Sequence, residues 1–193
     1  MKMKRKTTTL VTAILLVLLG AGSACAENLT IQFQRNTVSD GQINVFFSLQ
    51  GSISYDTVDA IRNGITAKLK INFQLTRSEG FLSRGQDILR EKVEELTISY
   101  DVWENGFVIE NEEPRSVQQV KRASNIVSKV NEMISPTVID AASLSTDEEV
   151  SLRAKIYIQT IKLYPPFGIF LYFFDPWNYE SDWIYSSPFT LKK

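Results

Sequence analysis

Apolar and polar residues alternate over long stretches of this chain, and this pattern limits the folds open to it. Between positions 67 and 75 every odd residue is apolar, and the residues between them are Lys, Lys, Asn and Gln. Side chains of a β-strand point to opposite faces in turn, so the pattern is typical of a strand with one buried and one solvated face. Similar alternation occurs at 29–33, 43–49, 96–102 and 150–163. The chain is therefore expected to build a sheet.

Turn residues between these strands favour antiparallel pairing. Ser39-Asp40-Gly41 lies between the first two alternating stretches and predicts a hairpin. Asn105-Gly106 is the strongest short hairpin signal, with Phe107 and Ile109 on the return strand. Near the C-terminus, the alternation of Trp183 and Tyr185 predicts a last short strand.

Helical spacing appears in three segments. Ser54 can cap a short helix over 55–64 that ends at Gly64, and residues 79–92 are weakly amphipathic. Apolar residues three to four apart predict a long helix over 116–134, followed by a loop at 135–147. The predicted fold is α+β: a single domain with a mainly antiparallel sheet of about six to seven strands, and one long and one or two short helices packed on one face.

The N-terminus has the pattern of a secretory signal peptide. Basic residues within the first six positions precede an apolar stretch from Leu10 to Leu19, and Ala24-Cys25-Ala26 fits the cleavage pattern. We expect cleavage after Ala26, which gives an exported, periplasmic domain over 27–193. An alternative is a lipoprotein anchored through Cys25, although Gly22 is a poor match three positions before that cysteine.

Composition excludes several kinds of chemistry in this domain. Residues 27–193 contain neither cysteine nor histidine. Disulfides, Cys–His and Ser–His–Asp catalysis, and zinc or haem sites built on these residues are therefore excluded, and no cofactor or metal is expected. Loss of the four basic residues at the N-terminus leaves 17 Lys and Arg against 22 Asp and Glu, a net charge of about −5. Such a chain is a poor binder of nucleic acid.

Aromatic residues are concentrated between Tyr164 and Tyr185, where 10 of the 21 aromatic residues lie within 22 positions. One interpretation is a loop folded over the edge of the core. The other is an exposed surface that contacts a membrane interface or a partner protein, because rings with polar groups suit both settings. The candidate interaction residues are Phe167, Phe170, Tyr172, Phe173 and Trp177.

The residues that flank this stretch are interpreted as structural. Pro165 and Pro166 interrupt any regular element at its start. Ser181, Asp182 and Trp183 are expected to lead into a strand beside 150–163, with the Trp183 ring over the end of the core. Asp175 or Asp182 could alternatively act as an acid or base in a hydrolase, but both fit turn chemistry better.

The chain resembles the domain-of-unknown-function 4390 family of small exported proteobacterial proteins. The specific part of the resemblance is the ending, in which Pro165-Pro166 is followed by Trp177 and by Ser181-Asp182-Trp183. The strand at 43–49, the short helix with the strand at 67–75, Tyr100 and the helix at 116–134 also match. This family brings no established activity or catalytic residues. Its members often lie beside genes for membrane sensor kinases, which implies a link to envelope signalling.

Three functions are therefore open. The first, favoured by the lack of a catalytic constellation and by the aromatic stretch, is a non-catalytic binding module with an unknown envelope protein or ligand. The second is a structural protein held at a membrane surface by residues 164–185, although an acidic chain is poorly suited to anionic lipid. The third is a hydrolase that uses carboxylates.

Overall fold

A computed structural model of the chain describes residues 29–77, 87–144, 149–160 and 178–191. The chain folds as one sheet-rich α+β domain, as predicted. The described residues form two α-helices, α1 (Tyr55–Arg62) and α2 (Ile126–Ile134). The strands are β1 (Thr30–Ser39), β2 (Gln42–Gln50), β3 (Ala67–Arg77), β4 (Ile88–Asp101), β5 (Gly106–Asn111), β6 (Ser116–Val120), β7 (Thr137–Asp140), β8 (Glu149–Thr160), β9 (Tyr179–Glu180), β10 (Ile184–Tyr185) and β11 (Phe189–Thr190).

The larger of two antiparallel sheets has the order β10-β8-β3-β4-β5-β6, and β9 and β11 also pair with β8. Ala67 at the start of β3 lies opposite both Thr160 of β8 and Ile98 of β4. The alternation at 67–75 is thereby explained, because β3 buries its odd-numbered residues. More strands form than the six to seven predicted, because β6, β7, β9 and β11 were not foreseen.

The smaller sheet has the order β1-β2-β7 and lies over the buried face of the larger one. Phe47 of β2 and Phe73 of β3 meet in the core with ring centroids 4.9 Å apart. At one side, the Thr137 hydroxyl of β7 donates to the buried Glu94 carboxylate of β4. Elsewhere, the Tyr179 hydroxyl donates to the Leu29 carbonyl at 2.8 Å. The buried face is thus covered by a second sheet as well as by helices, which the sequence analysis did not predict.

The short helix α1 begins at Tyr55 as predicted and ends at Arg62, two residues before the predicted end. The Ser54 hydroxyl accepts a hydrogen bond from the Thr57 N–H at 3.1 Å, which satisfies one of the unpaired donors of the first turn. Gly64 follows the helix with a φ of 90°, a conformation that favours glycine. Thr57, Val58, Ala60 and Ile61 are its buried residues.

The predicted long helix over 116–134 is wrong in its first part. Residues Ser116–Val120 form β6, which pairs with β5. Only Ile126–Ile134 is α-helical, preceded by a 3₁₀ turn at Ala123–Asn125. The long-range pairing with β5 overrides the helical spacing of a few valines, and Val117 is 55 % exposed in the resulting strand.

Two further predictions are corrected. The helix expected over 79–92 is contradicted from Ile88 onward, where the 14-residue strand β4 begins; residues 78–86 lie outside the described part. The loop expected at 135–147 contains β7, which pairs with β2. In the β4–β5 hairpin, Asp101 pairs with Gly106, so the connection is the four residues 102–105 rather than a two-residue Asn-Gly turn.

Side chains of α2 continue the small sheet where β7 ends. β7 pairs with β2 only between Gln42 and Val45. Beyond it, the Asn131 amide accepts from the Leu49 N–H at 2.7 Å and donates to the Leu49 carbonyl at 3.1 Å. The Ser135 hydroxyl donates to the Phe47 carbonyl at 2.8 Å. These side chains therefore satisfy backbone groups that a longer β7 would otherwise bind.

We expect Asn131→Ala to lower the free energy of unfolding by about 1–3 kcal/mol, because both backbone groups of the buried Leu49 lose their partner. Urea denaturation measures the change. The matched control is Ser128→Ala, an exposed position of the same helix, which should change stability by less than about 0.5 kcal/mol. Equal losses in the two variants would contradict the assigned role of Asn131.

Candidate functional site

The most exposed large side chain in the described part of the chain is Trp103, at the tip of the β4–β5 hairpin. Trp103 is 97 % exposed, and its neighbour Val102 is 73 % exposed. Two adjacent apolar side chains with this exposure are unusual, because their burial would be worth a few kcal/mol. A surface of this kind is a candidate contact site.

The tip is held in one conformation by its own hydrogen bonds. The Asp101 carboxylate accepts from the Trp103 N–H at 2.8 Å and from the Glu104 N–H at 3.1 Å. The Tyr100 hydroxyl donates to the Asn105 side chain, and Asn105 has a φ of 49°. At the base, the Tyr100 and Phe107 rings pack edge to face at 5.1 Å. The turn therefore presents Trp103 from a fixed backbone.

Trp103 was not among the residues predicted from the sequence. Residues 96–102 were interpreted as one alternating strand, and Val102 was assigned to it. The strand instead ends at Asp101, whose short carboxylate side chain can bond the backbone two residues further on. The available signal for an exposed four-residue tip was Asp101, which is followed by Val102-Trp103 and, after one residue, by Asn105-Gly106.

Tyr55 and Thr160 lie at the same end of the domain as the hairpin tip. Tyr55 is 70 % exposed at the start of α1, which connects the end of β2 to the start of β3. Thr160 of β8 lies opposite Ala67 of β3, which on its other side lies opposite Ile98 of β4. The Thr160 N–H donates to the Asn178 side chain at 3.2 Å. We call Tyr55, Val102 and Trp103 the apolar end; they are the three most exposed large apolar residues that the structure describes.

All five predicted interaction residues lie outside the described residues: Phe167, Phe170, Tyr172, Phe173 and Trp177. Pro165 and Pro166, which were expected to be structural, lie outside them too, and all of these residues are within 161–177. The described residues that flank this segment, Thr160 and Asn178, are both at the end of the sheet that carries Trp103. Of the two carboxylates considered for hydrolysis, Asp175 is also outside, and Asp182 is exposed.

Residues 178–191, the C-terminal strip, run along the outer edge of β8. Strands β11, β10 and β9 pair with it at Val150, Ala154 and Ile158. Between these pairings, the buried Ser181 accepts from the Ile156 N–H through its hydroxyl and donates its own N–H to the Ile156 carbonyl, both at 3.0 Å. Ser186 binds Leu152 in the same way. Hydroxyl groups thus alternate with short strands along this edge.

Trp183 lies on the face of the sheet opposite to the one expected. Its ring contacts the Arg153 guanidinium, 4.4 Å from the ring centroid, and the Lys155 ammonium at 5.6 Å. The side chain that packs on the core is Ile184, opposite Ala154. The strand was therefore placed correctly beside 150–163, but its faces were exchanged, because Ser181 takes an inward position and shifts the alternation.

The outer face around Trp183 is polar and internally paired. Arg153 donates to the Gln74 side chain at 2.9 Å, and Lys155 pairs with Glu180. Further along β3, Lys68 and Lys70 bind Glu95 at 2.6 and 2.9 Å. Hydrogen bonds from these two lysines hold the pKa of Glu95 below its ordinary value, and the bond to Glu95 raises the pKa of Lys68.

Within residues 29–77, 87–144, 149–160 and 178–191, no three acidic, histidine or cysteine side chains are placed to hold a metal ion. No helix in these ranges has the length and apolar character needed to span a bilayer.

Comparison with known families places the chain. The family model described as "Domain of unknown function (DUF4390)" matches residues 26–186. The chain belongs to the DUF4390 family. This match includes the hairpin tip, the described sheet strands up to β10, and Ser181-Asp182-Trp183. No curated protein and no solved structure matches the chain significantly.

For this DUF4390 domain, we expect Trp183→Ala to cost about 1–2 kcal/mol, because its half-buried ring makes cation–π contacts on the outer face, rather than the 3–5 kcal/mol typical of a buried aromatic ring. Ile184→Ala, which removes core contacts, should cost more, about 2 kcal/mol. Denaturant melts provide the measurement, with the exposed Tyr185→Ala as control. If Trp183→Ala proves the more damaging variant, the ring belongs to the core.

The ion pairs of Glu95 with Lys68 and Lys70 make the stability of the domain depend on pH, with a defined sign. Because its folded-state pKa is lowered, Glu95 stabilises the DUF4390 domain above its unfolded pKa, and this contribution disappears as pH falls through the lower folded value. We expect Glu95→Gln to reduce the difference in urea midpoint between about pH 7 and about pH 3, more so at low salt. Glu110→Gln, which removes an exposed carboxylate from β5, should leave that difference unchanged.

Proposed function

We propose that this chain is an exported, non-catalytic interaction module of the bacterial envelope, and that its apolar end contacts the partner. The observation that carries the proposal is Trp103, which is 97 % exposed on a tip fixed by the Asp101 side chain. A preformed turn binds with little loss of conformational entropy, and tryptophan is a frequent centre of binding energy in protein interfaces. The signal-peptide pattern at the N-terminus supports the location.

A non-catalytic role is favoured by the residues available. The domain after Ala26 has neither histidine nor cysteine. Carboxylates and lysines on the outer face, such as Glu95 and Lys68, are bound to one another rather than turned into a cleft. Neutralised pairs of this kind stabilise a surface and are poorly suited to moving protons for a substrate. The link to envelope signalling rests on the family resemblance alone.

Site-specific cross-linking in cells tests the proposal. A photoreactive amino acid at position 103 should give a discrete adduct. The same group at Gln42, an exposed residue at the β1–β2 turn at the other end of the domain, should not. Val102→Ser should weaken the adduct at 103 without changing the thermal melt, because Val102 is 73 % exposed. Equal labelling from both positions, or none from 103, would reject the apolar end as the contact.

A membrane surface is the second candidate for the apolar end. It is favoured by the exposure of Tyr55, Val102 and Trp103 at one end of the domain, because tyrosine and tryptophan suit the membrane–water interface. Flotation of the purified domain with zwitterionic and anionic vesicles distinguishes the two. Recovery with vesicles that Trp103→Ser abolishes would establish lipid as the contact in place of a protein. If the domain stays in the soluble fraction, a protein remains the candidate contact.

A further inference from the structure

β6 is the outer strand of the larger sheet on the side away from β8. It pairs with β5 from Ser116 to Val120, and no other described strand pairs with it. In an antiparallel strand, half of the backbone N–H and C=O groups point away from the neighbour. These groups form a ready template for another strand.

The described strands differ in how their free edges are protected. The edge of β8 is covered by the C-terminal strip, and β1 contains a register shift between Phe33 and Arg35. β6 reads Ser-Val-Gln-Gln-Val, with no charged residue, proline or register shift in its pairing. Charges, prolines and bulges are the usual means by which proteins block an edge, so β6 is the edge left open to pairing.

Cationic residues lie at both ends of this edge. Arg115 precedes β6 and Arg122 follows it; both are exposed, and neither forms an ion pair within the described ranges. Lys121 is already bound to Glu104. Glu112 and Glu113, which are also exposed, lie in the β5–β6 turn before Arg115. The open edge therefore has a neutral centre and one unpaired arginine at each end.

From this arrangement we infer that β6 accepts an extended segment of another protein as an added strand, and that this segment has a neutral centre with acidic residues at its ends. Main-chain hydrogen bonds along the edge supply affinity, and alternate side chains supply selectivity. Val117, which is 55 % exposed, would contact an apolar residue of the added strand. Arg115 and Arg122 would pair with the terminal carboxylates.

A second copy of this chain is a poorer occupant. Antiparallel self-pairing centred on Gln118 sets Arg115 opposite Lys121 of the other copy. Like charges directly opposite each other destabilise a strand pair, and here the repulsion occurs at both ends. The charges thus select an acidic partner over self-association.

A short synthetic peptide of alternating Val and Thr, with Glu at each end, serves as the probe. In an NMR titration of the isotope-labelled domain, it should shift the amide signals of residues 116–120 and slow their hydrogen exchange. The same peptide with Lys at each end should bind about fivefold or more weakly, because two end pairs become repulsive. A version with N-methyl groups on alternate amides should not bind.

Charge-reversed variants separate the end contacts from overall charge. Arg122→Glu should weaken the Glu-ended peptide about fivefold and strengthen the Lys-ended one. Arg35→Glu, an exposed position on β1 with the same change in charge, should do neither.

The inference is overturned if the β6 signals do not respond to the Glu-ended peptide, or if the N-methylated peptide binds equally well. It is also overturned if ultracentrifugation shows a dimer whose contact protects these amides. Failure of the Trp103 cross-link in cells would not affect this test, because the peptide titration measures binding at β6 and the cross-link measures contact at the apolar end.

Discussion

Backbone groups at the edges of a sheet need hydrogen-bond partners, and this requirement shapes the domain more than any single contact. Along β8, short strand pairings alternate with the hydroxyl groups of Ser181 and Ser186. At β2, the Asn131 amide takes the position of a missing strand beside Leu49. In both cases a polar side chain donates or accepts where a neighbouring backbone would. Among the strands that the structure describes, the outer edge of β6 has no partner of this kind.

Much of the fold could be predicted from the period of the apolar residues. β3 and β8 are long, have one buried and one solvated face, and so carry an unambiguous alternation. The helix α1 was predictable because Ser54 and Gly64 mark its ends by local chemistry. β6 and β7 were not, since short strands acquire their conformation from the partner strand. Val117 and Val120 fit a helical stripe equally well in isolation.

The candidate site was harder to predict, for reasons that particular residues illustrate. The position of Trp183 depended on whether Ser181 points inward, and a serine seldom signals a buried position by its chemistry alone. Its burial follows from the Ile156 backbone groups that it binds. Trp103 was missed because a turn has no period. The density of aromatic residues pointed to residues 161–177, whereas a single tryptophan at a hairpin tip does not raise the local aromatic content.

One hydrogen bond connects the beginning of the described chain with its end, since the Tyr179 hydroxyl binds the Leu29 carbonyl. β8 and the strip that covers it also come from the last part of the sequence, while their neighbour β3 comes from the first half. Because the chain is synthesised from its N-terminus, one edge of β3 therefore stays without its partner β8 until most of the chain has been made. Completion of the sheet has to follow synthesis rather than accompany it. The late arrival of the C-terminal residues thus leaves the sheet incomplete until translation is nearly finished.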